Sequence, residues 1–492
     1  MTQSVKINFK SPNRNVDPTT LNEELYYMRD SYRDEKLALN KRSGLGSSAV
    51  LDLEVDSPID GQYWWDKQGV GIAVSNGRIW SYTSAYVATE LTDGTPLLEQ
   101  RGQCTFAEVK KTSDNKVYLF IANGGRIVYT DGVATNAAQM VGGDDPVNCT
   151  HVVHIDGYLI ANDIETEAKK NKWFTTVVNA PLTFAGGDDY TAPMQVDDIV
   201  AILESNRLLY VLGKQTIEPW YNTGGTITFA RVNGSLINIG VFSANSVTKY
   251  KNDIYFLSNN REITLLRGYD TLSISLPYNK YIQALETIND VKIEVVSSLE
   301  GYDFLLCHFP SEDITLAHNI TLFNLSKGEI NDWYEWNYWN DNSYEQFKGI
   351  NSIYAAGYGV YLIGDRSDSK IYTFSQDNLN DNGQAIKTEI VTGHIDHGTF
   401  NMKKSTWLII KFKRGETVSS KSVFIYWRDN GDSEWSNAVE YEMGSGSLGD
   451  RELFVKIQPM GEYRSRQYKI VCGDEINLVA SGFEEKVEVK DV

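Results

Sequence analysis

Cysteine is scarce. The 492 residues hold four: Cys104, Cys149, Cys307 and Cys472, far apart and with no C-x-x-C pair. A secreted, disulfide-stapled scaffold uses many more, so reduced thiols in a reducing compartment are expected. No run of about 18 apolar residues occurs, so no transmembrane helix is expected. Met1 to Lys6 lacks the apolar stretch of a secretory leader. On that reading Asn148-Cys149-Thr150 and Asn319-Ile320-Thr321 carry no glycosylation message. Basic charge is also short: 46 Lys and Arg against 65 Asp and Glu leave a net charge of −19. No Lys/Arg stripe stands out, and a firm grip on duplex phosphates needs clustered cations. An acidic wall is compatible with DNA sliding past it, because like charge repels the phosphates.

Catalytic signatures are missing too. There is no G-x-S-x-G elbow, no H-E-x-x-H pair and no G-x-x-x-x-G-K-[ST] phosphate loop. His151 and His154 are three apart in a strand-like run and point to opposite faces, which argues against shared metal ligation. His394 and His397 flank a turn but lack a third ligand, and with His308 and His318 they read as non-ligating histidines. Asp365-Arg366-Ser367-Asp368 lacks the glycine and distant glutamate of a calcium loop and reads as a hairpin turn. Asp429-Asn430-Gly431-Asp432-Ser433-Glu434-Trp435 has the look of the Asp-box turn of sialidase propellers, but it occurs once, with altered spacing, and reads as a stabilised hairpin. Glycoside hydrolysis needs two carboxylates across a cleft, and nothing in the sequence singles out a pair. No catalytic residue, cofactor or metal is therefore expected.

What the chain has is aromatic residues, at 12 %, including 29 Tyr and 11 Trp, which favour strands. From about residue 47 to 380 one unit recurs: an apolar-aromatic strand, a tight turn, then a second strand carrying an aromatic. Gly71 to Val74 turns at Asn76-Gly77 into Arg78 to Tyr82, and Lys116 to Ile121 turns at Asn123-Gly124-Gly125 into Arg126 to Tyr129. His151 to Asn162 reads as one strand with Asp156-Gly157 inside it, followed by Lys172 to Thr176. Arg207 to Leu212 turns at Gly213-Lys214 into Thr216 to Trp220, and Asp253 to Leu257 turns at Asn259-Asn260 into Glu262 to Leu266. Tyr302 to Phe309 leads to a partner strand at Ile320 to Asn324, and Val360 to Ile363 turns at Gly364-Asp365 into Lys370 to Phe374. Asn-Gly between alternating apolar runs is a hairpin signal, because both central residues need positive φ. A period of about 40–55 residues is that of four-stranded propeller blades. The fold predicted is all-β: a β-propeller of six or seven blades over 47–380, with one helix at Pro277 to Glu286 inserted between blades.

Residues 1–46 read as an extended N-terminal arm, with room for one short helix between Leu21 and Asn40. The turn-rich Leu379 to Gly383 marks a junction. Strands without the repeat follow over 381–492, spaced as in a small antiparallel β-sandwich. Trp333, Trp336 and Trp339, in the densest aromatic cluster, are the candidates for a protein interface or for sugar stacking. Blade strands packed between neighbours would show the same pattern.

The order of arm, propeller and sandwich resembles the packaged-DNA stabilisation proteins, or tail hub (nozzle) proteins, of short-tailed phages. The likeness is carried by Lys41-Arg42-Ser43-Gly44-Leu45, by Leu208 to Glu218 followed by Thr223-Gly224, by Phe304 to Pro310, by Gly364 to Ser367 and by Arg464 to Tyr468. It implies a structural virion protein of the tail, assembled in the host cytoplasm into a ring, usually hexameric. Such a ring sits below the portal and adaptor proteins, beside other tail or fibre proteins. It continues the channel for double-stranded DNA without sequence-specific binding, retains the packaged genome and releases it at ejection. The family has no catalytic residues to carry over. The competing expectations are a propeller glycosidase or sialidase-like enzyme, and a carbohydrate-binding adhesin using the three tryptophans.

Overall fold

The computed structural model describes residues 2–7, 10–15, 25–99, 102–142, 145–164, 170–191, 197–225, 227–297, 301–414, 421–443, 451–458 and 460–490. Six separate four-stranded antiparallel sheets lie within residues 51–373. A further four-stranded unit, Lys292–Ser297, Asp303–Phe309, Ile314–Asn319 and Trp333–Glu335, belongs to a larger nine-stranded sheet. The innermost strands of successive units adjoin one another, and the last, Gly349–Ala355, returns to the first, Ile59–Trp65. That closure is a β-propeller. Its final sheet is completed by an N-terminal strand, Leu51–Asp52, pairing with Lys370–Thr373.

The turn chemistry explains the hairpins. Asn76 and Gly77 have φ of 49° and 71°, and Asp156 and Gly157 have 49° and 88°, the double positive-φ pattern of a two-residue hairpin turn. The second of these splits the single strand expected over His151 to Asn162 into Val152–Ile155 and Tyr158–Asn162. Between blades the core is a series of apolar clusters, each fed by two neighbouring sheets, as where Trp173, Trp220 and Phe229 meet edge to face. The expected helix appears as a 3-10 turn, Leu276–Tyr278, leading into α1 (Asn279–Ala284) between two blades.

One expected strand is a helix. Ile320 to Asn324 lies in α2 (Ile320–Leu325). Its Asn319 cap accepts a hydrogen bond from the Leu322 amide at 2.9 Å, and local capping outweighs the β-branched pattern. The partner strand of Asp303–Phe309 is instead Ile314–Asn319.

The N-terminal segment is built into the sheets. β1 (Thr2–Ile7) pairs with Leu478–Val489. β2 (Leu25–Arg29) lies parallel to Trp333–Glu335 on one side and antiparallel to Thr388–Thr392 on the other. β3 (Ser31–Arg33) and β4 (Leu39–Lys41) form a hairpin whose second strand also joins Leu478–Val489. The helix expected between Leu21 and Asn40 is absent from 25–41, which is strand and turn; 21–24 lie outside the described residues. The C-terminal strands form two sheets. Thr388–Thr392, Arg466–Cys472, Ser422–Asp429 and Val439–Glu442 continue the nine-stranded sheet beyond β2, and Lys403–Arg414, Arg451–Ile457 and Leu478–Val489 make the core of a seven-stranded one. A single apolar cluster, including Leu25, Tyr32, Leu45, Phe304, Trp336, Ile390, Phe412 and Phe483, runs through arm, propeller edge and C-terminal layers.

Candidate functional site

Two places gather polar side chains on named elements: the propeller axis and the seam where the arm crosses. At the axis, the inner strands enclose a cavity of about 620 Å³ lined by Tyr63, Phe106, Glu108, His154, Glu204 and Lys249 among others. The inner strands Lys292–Ser297 and Gly349–Ala355 line an adjoining space of about 240 Å³. The first two blades approach closely enough there that a Cβ on Gly61 would lie 2.6 Å from that of Cys104. Tyr63 and Phe106 stack with centroids 5.2 Å apart. The Tyr63 hydroxyl donates to Glu108 at 2.8 Å, and burial together with that carboxylate pushes its pKa up. Lys249 Nζ donates to Glu204 at 2.6 Å. Glu294 faces His308 Nε2 at 3.0 Å and accepts from the Ser352 amide at 3.0 Å. His154 Nε2 accepts from the Gly157 amide at 3.1 Å, and burial, with Lys67 nearby, lowers its pKa. Each of these three axial carboxylates therefore accepts from a neighbouring donor.

At the seam, four arginines of the arm are engaged by acidic partners. Arg42 is fully buried: Nε donates to Asp30 at 2.7 Å, Nη2 to the Asn337 carbonyl at 2.7 Å, and the guanidinium also pairs with Asp381 and lies 4.6 Å from the Phe347 ring centroid. Arg33 Nε donates to Asp332 at 2.7 Å. Arg14 Nε and Arg29 Nη2 converge on the two oxygens of Glu335 at 2.8 and 2.9 Å. The turn Ser43-Gly44-Leu45 fits only without a side chain, since a Cβ on Gly44 would stand 2.5 Å from the carbonyl oxygens of Asn378 and Asn380. Sequence reasoning named the 41–45 segment but missed this arginine set. Apart from Asp30, twelve residues from Arg42, its acidic partners lie some 300 residues away, and no local pattern announces them.

Trp333, Trp336 and Trp339 are not brought together on one open face. Trp333 is fully buried, its indole donating to the Ile274 carbonyl at 2.8 Å and its ring stacked 4.9 Å from His318. Trp336 is buried against Phe304 and Phe347. Trp339 is half-buried under the Lys387 ammonium, 3.4 Å from its centroid. The chain leaves the nine-stranded sheet after Glu335, so the three side chains diverge, and the segment serves as the surface that the arm crosses. Neither of the two buried indoles offers a face to a sugar in this fold.

The remaining candidates resolve as local structure. His397 sits 2.9 Å from the Tyr463 hydroxyl and 3.1 Å from Glu485, and His394 is buried near Ser465. Among the described residues no group of three His, Cys, Asp or Glu is placed to hold a metal. Asp365 accepts from the Ser367 amide and hydroxyl at 2.8 and 2.7 Å, closing its turn. Asp429 receives two hydrogen bonds from Arg466, and Asn430 and Gly431 turn with positive φ. All four cysteines are buried and unlinked. No helix among the described residues is long and apolar enough to cross a membrane.

Solved structures similar to this chain come from proteins of very different origin. The WD40 β-propeller domain of Doa1 is 12 % identical, covers 68 % of this chain and 97 % of its own, with a TM-score of 0.38. YCF48 from Cyanidioschyzon merolae is 8 % identical, covering 67 % and 99 %, at 0.40. An exo-β-1,3-galactanase from Phanerochaete chrysosporium is 7 % identical, covering 90 % and 100 %, at 0.28. No curated protein matches the sequence. A family model described as bacteriophage P22 Gp10, β-propeller, matches residues 52–379, the stretch occupied by the ring of blades. The chain therefore belongs to that phage stabilisation family and is a phage structural protein.

Proposed function

We propose that this chain is a subunit of the tail hub, or nozzle, of a short-tailed phage. Copies assemble into a ring, taken as a hexamer, beneath the portal and adaptor proteins. The ring continues the DNA channel, holds the packaged genome and opens at ejection. The observation that carries this reading is the family match over the entire propeller. Two physical features support it. The blades are clamped by an arm whose four buried or half-buried arginines have charged partners, which suits a stiff building block. The net charge of −19 suits a wall past which DNA slides.

The test is electron microscopy of purified virions carrying an epitope on this chain, combined with particles made without it. The expected result is label on the tail below the portal, and heads that fill with DNA and then lose it when the chain is missing. Label on the capsid shell, absence from virions, or stable full heads without the chain would each overturn the proposal.

A further inference from the structure

In each four-stranded unit of the propeller the chain runs outward from the axis, so an outermost turn joins the third strand to the fourth. These outer turns share one face of the propeller, because each leans on the inner turn, between first and second strands, of the unit before it. The Thr112 amide donates to the Asn179 carbonyl at 3.1 Å, and Asn222 Nδ2 donates to Asp156 at 3.1 Å. The Tyr210 hydroxyl donates to the Gly268 carbonyl at 3.1 Å, and the Tyr358 hydroxyl to the Tyr82 carbonyl at 2.8 Å. A Cβ on Gly132 would stand 3.7 Å from the Gln68 side chain. Six consecutive units place an exposed apolar or aromatic side chain at this outer tip. They are Val87, Val133, Val178, Ile227, Tyr269 and Leu325, with exposures of 61, 56, 44, 71, 49 and 67 %. Arg267 Nη2 links the last two tips by donating to Asn324 at 3.1 Å. The final sheet has no such turn, since its outer strand Leu51–Asp52 arrives from the N-terminal side.

One exposed aliphatic residue on a turn is ordinary, but the same position in six successive units is a pattern. The tips avoid charge as well. Segments 83–87, 132–137, 178–179 and 223–228 contain no Asp, Glu, Lys or Arg, in a chain that is 23 % charged. The inner turns of the same face do carry charge, at Lys67, Asp114, Lys116, Asp156 and Arg207. Facing water gives a turn no reason to shed charge. Entering the apolar edge of a bilayer does, because a charge taken there is costly. Spacing separates lipid from protein as the occupant. Protein contacts are built on a contiguous apolar core within a polar rim. Here the order is reversed, with apolar groups standing apart at the periphery and charged turns inside. A protein would need a separate pocket for each tip, whereas a fluid bilayer accepts each one where it falls. Tyr221 and Tyr269 add amphipathic rings suited to the headgroup level. Arg207 pairs with Asp156 and Lys116 with Asp131, so attachment rests on the tips and not on the charge of the lipid.

We propose that this rim of outer tips seats the propeller on the surface of a phospholipid bilayer, each apolar side chain entering at the boundary of headgroups and acyl chains. The inference does not depend on the ring reading above. It is tested with the full chain and vesicles of phosphatidylcholine alone. The chain should float with the vesicles, and equally in about 1 M salt, where screening shortens to about 3 Å. Val133→Asp, Val178→Asp and Ile227→Asp together should cut the bound fraction about tenfold, because the tips act in concert. The melting temperature should not change, since all three side chains are exposed. Phe454→Asp, exposed on the C-terminal sheet, should leave binding as it is. Ile227→Cys carrying a polarity-sensitive dye reports the tip directly, because the four native thiols are buried. Its emission should shift to the blue on vesicles and be quenched by lipids brominated along the acyl chain. A parent chain that does not float, binding that salt abolishes or that the three aspartates leave intact, or an unquenched dye on bound chain would each overturn the proposal. Shielding of the dye only in assembled particles would also overturn it, and would make the occupant another virion protein.

Discussion

At the scale of single residues, buried polar groups make the sharpest commitments. Arg42 has no exposed side-chain surface and holds Asp30 and Asp381, both buried. Removing the cation leaves two buried carboxylates without their partner, which costs about 3–5 kcal/mol. Arg42→Met should therefore lower the urea midpoint sharply, whereas Lys at the same position keeps the charge but loses the fork that reaches both acids, and should recover only part of the loss. His151 and His318 make a pH commitment. Burial lowers each from 6.5 to about 4, so between those values the unfolded chain binds protons that the folded chain refuses. Stability from these residues is complete above pH 6.5 and declines as pH falls toward 4, by roughly 3 kcal/mol per histidine at the limit. Denaturant midpoints measured from pH 7 down to 4.5 should fall, and His318→Phe should flatten that slope even if its midpoint at pH 7 is lower. An unchanged slope would mean that His318 does not stay neutral in the fold.

At the scale of elements, the hairpins are the most secure feature. The turn at Gly213-Lys214-Gln215-Thr216, part of the block that carried the family likeness, is held by one buried carboxylate. Asp197 accepts from the amides of Lys214, Gln215 and Thr216 at 3.0, 2.9 and 2.9 Å and from the Thr216 hydroxyl at 3.1 Å. Asp197→Ala strands the Gln215 and Thr216 amides, while that of Lys214 keeps the Asp198 carbonyl at 3.1 Å, and should cost about 3 kcal/mol, with Asp197→Asn, which keeps an acceptor oxygen, costing less. Both can be read from thermal unfolding of the full chain. Hairpins of this kind were legible in the sequence because the information is local: Asn76-Gly77 and the alternating apolar runs around it are sufficient. Ile320 to Asn324 was misread because its alternation suits a strand, while the deciding signal was the Asn319 cap one residue before it. β2 was illegible for a different reason. Its pairing to Glu335 and to Thr388–Thr392 is set by residues hundreds of positions away, and its own charges, read locally, suggested a short helix. The arginine seam was hidden in the same way. The tryptophan cluster showed its composition but not its burial, which depends on what crosses it.

At the scale of the whole molecule, the arm makes propeller and C-terminal layers one mechanical object. The nine-stranded sheet begins with the four strands of a blade, passes through β2 and ends at Val439–Glu442. β2 is thus the hinge-free link between the two halves, and the large apolar cluster shared by arm, blade and C-terminal strands is continuous across it. Chains of this length ordinarily unfold domain by domain, each transition separate. Here, freeing the C-terminal layers would strip β2 of Thr388–Thr392, β1 and β4 of Leu478–Val489, and the shared apolar cluster of one of its sides, so neither half can leave without destabilising the other. Scanning calorimetry of the intact chain should give one endotherm, with tryptophan fluorescence, to which both halves contribute, and far-ultraviolet circular dichroism sharing its midpoint. Removal of residues 1–46 should abolish that coupling and leave the strand edges of Trp333–Glu335, Thr388–Thr392 and Leu478–Val489 open and prone to aggregation. Two well-separated endotherms in the intact chain would show that β2 merely bridges two independent bodies, and would deprive the arm of its clamping role.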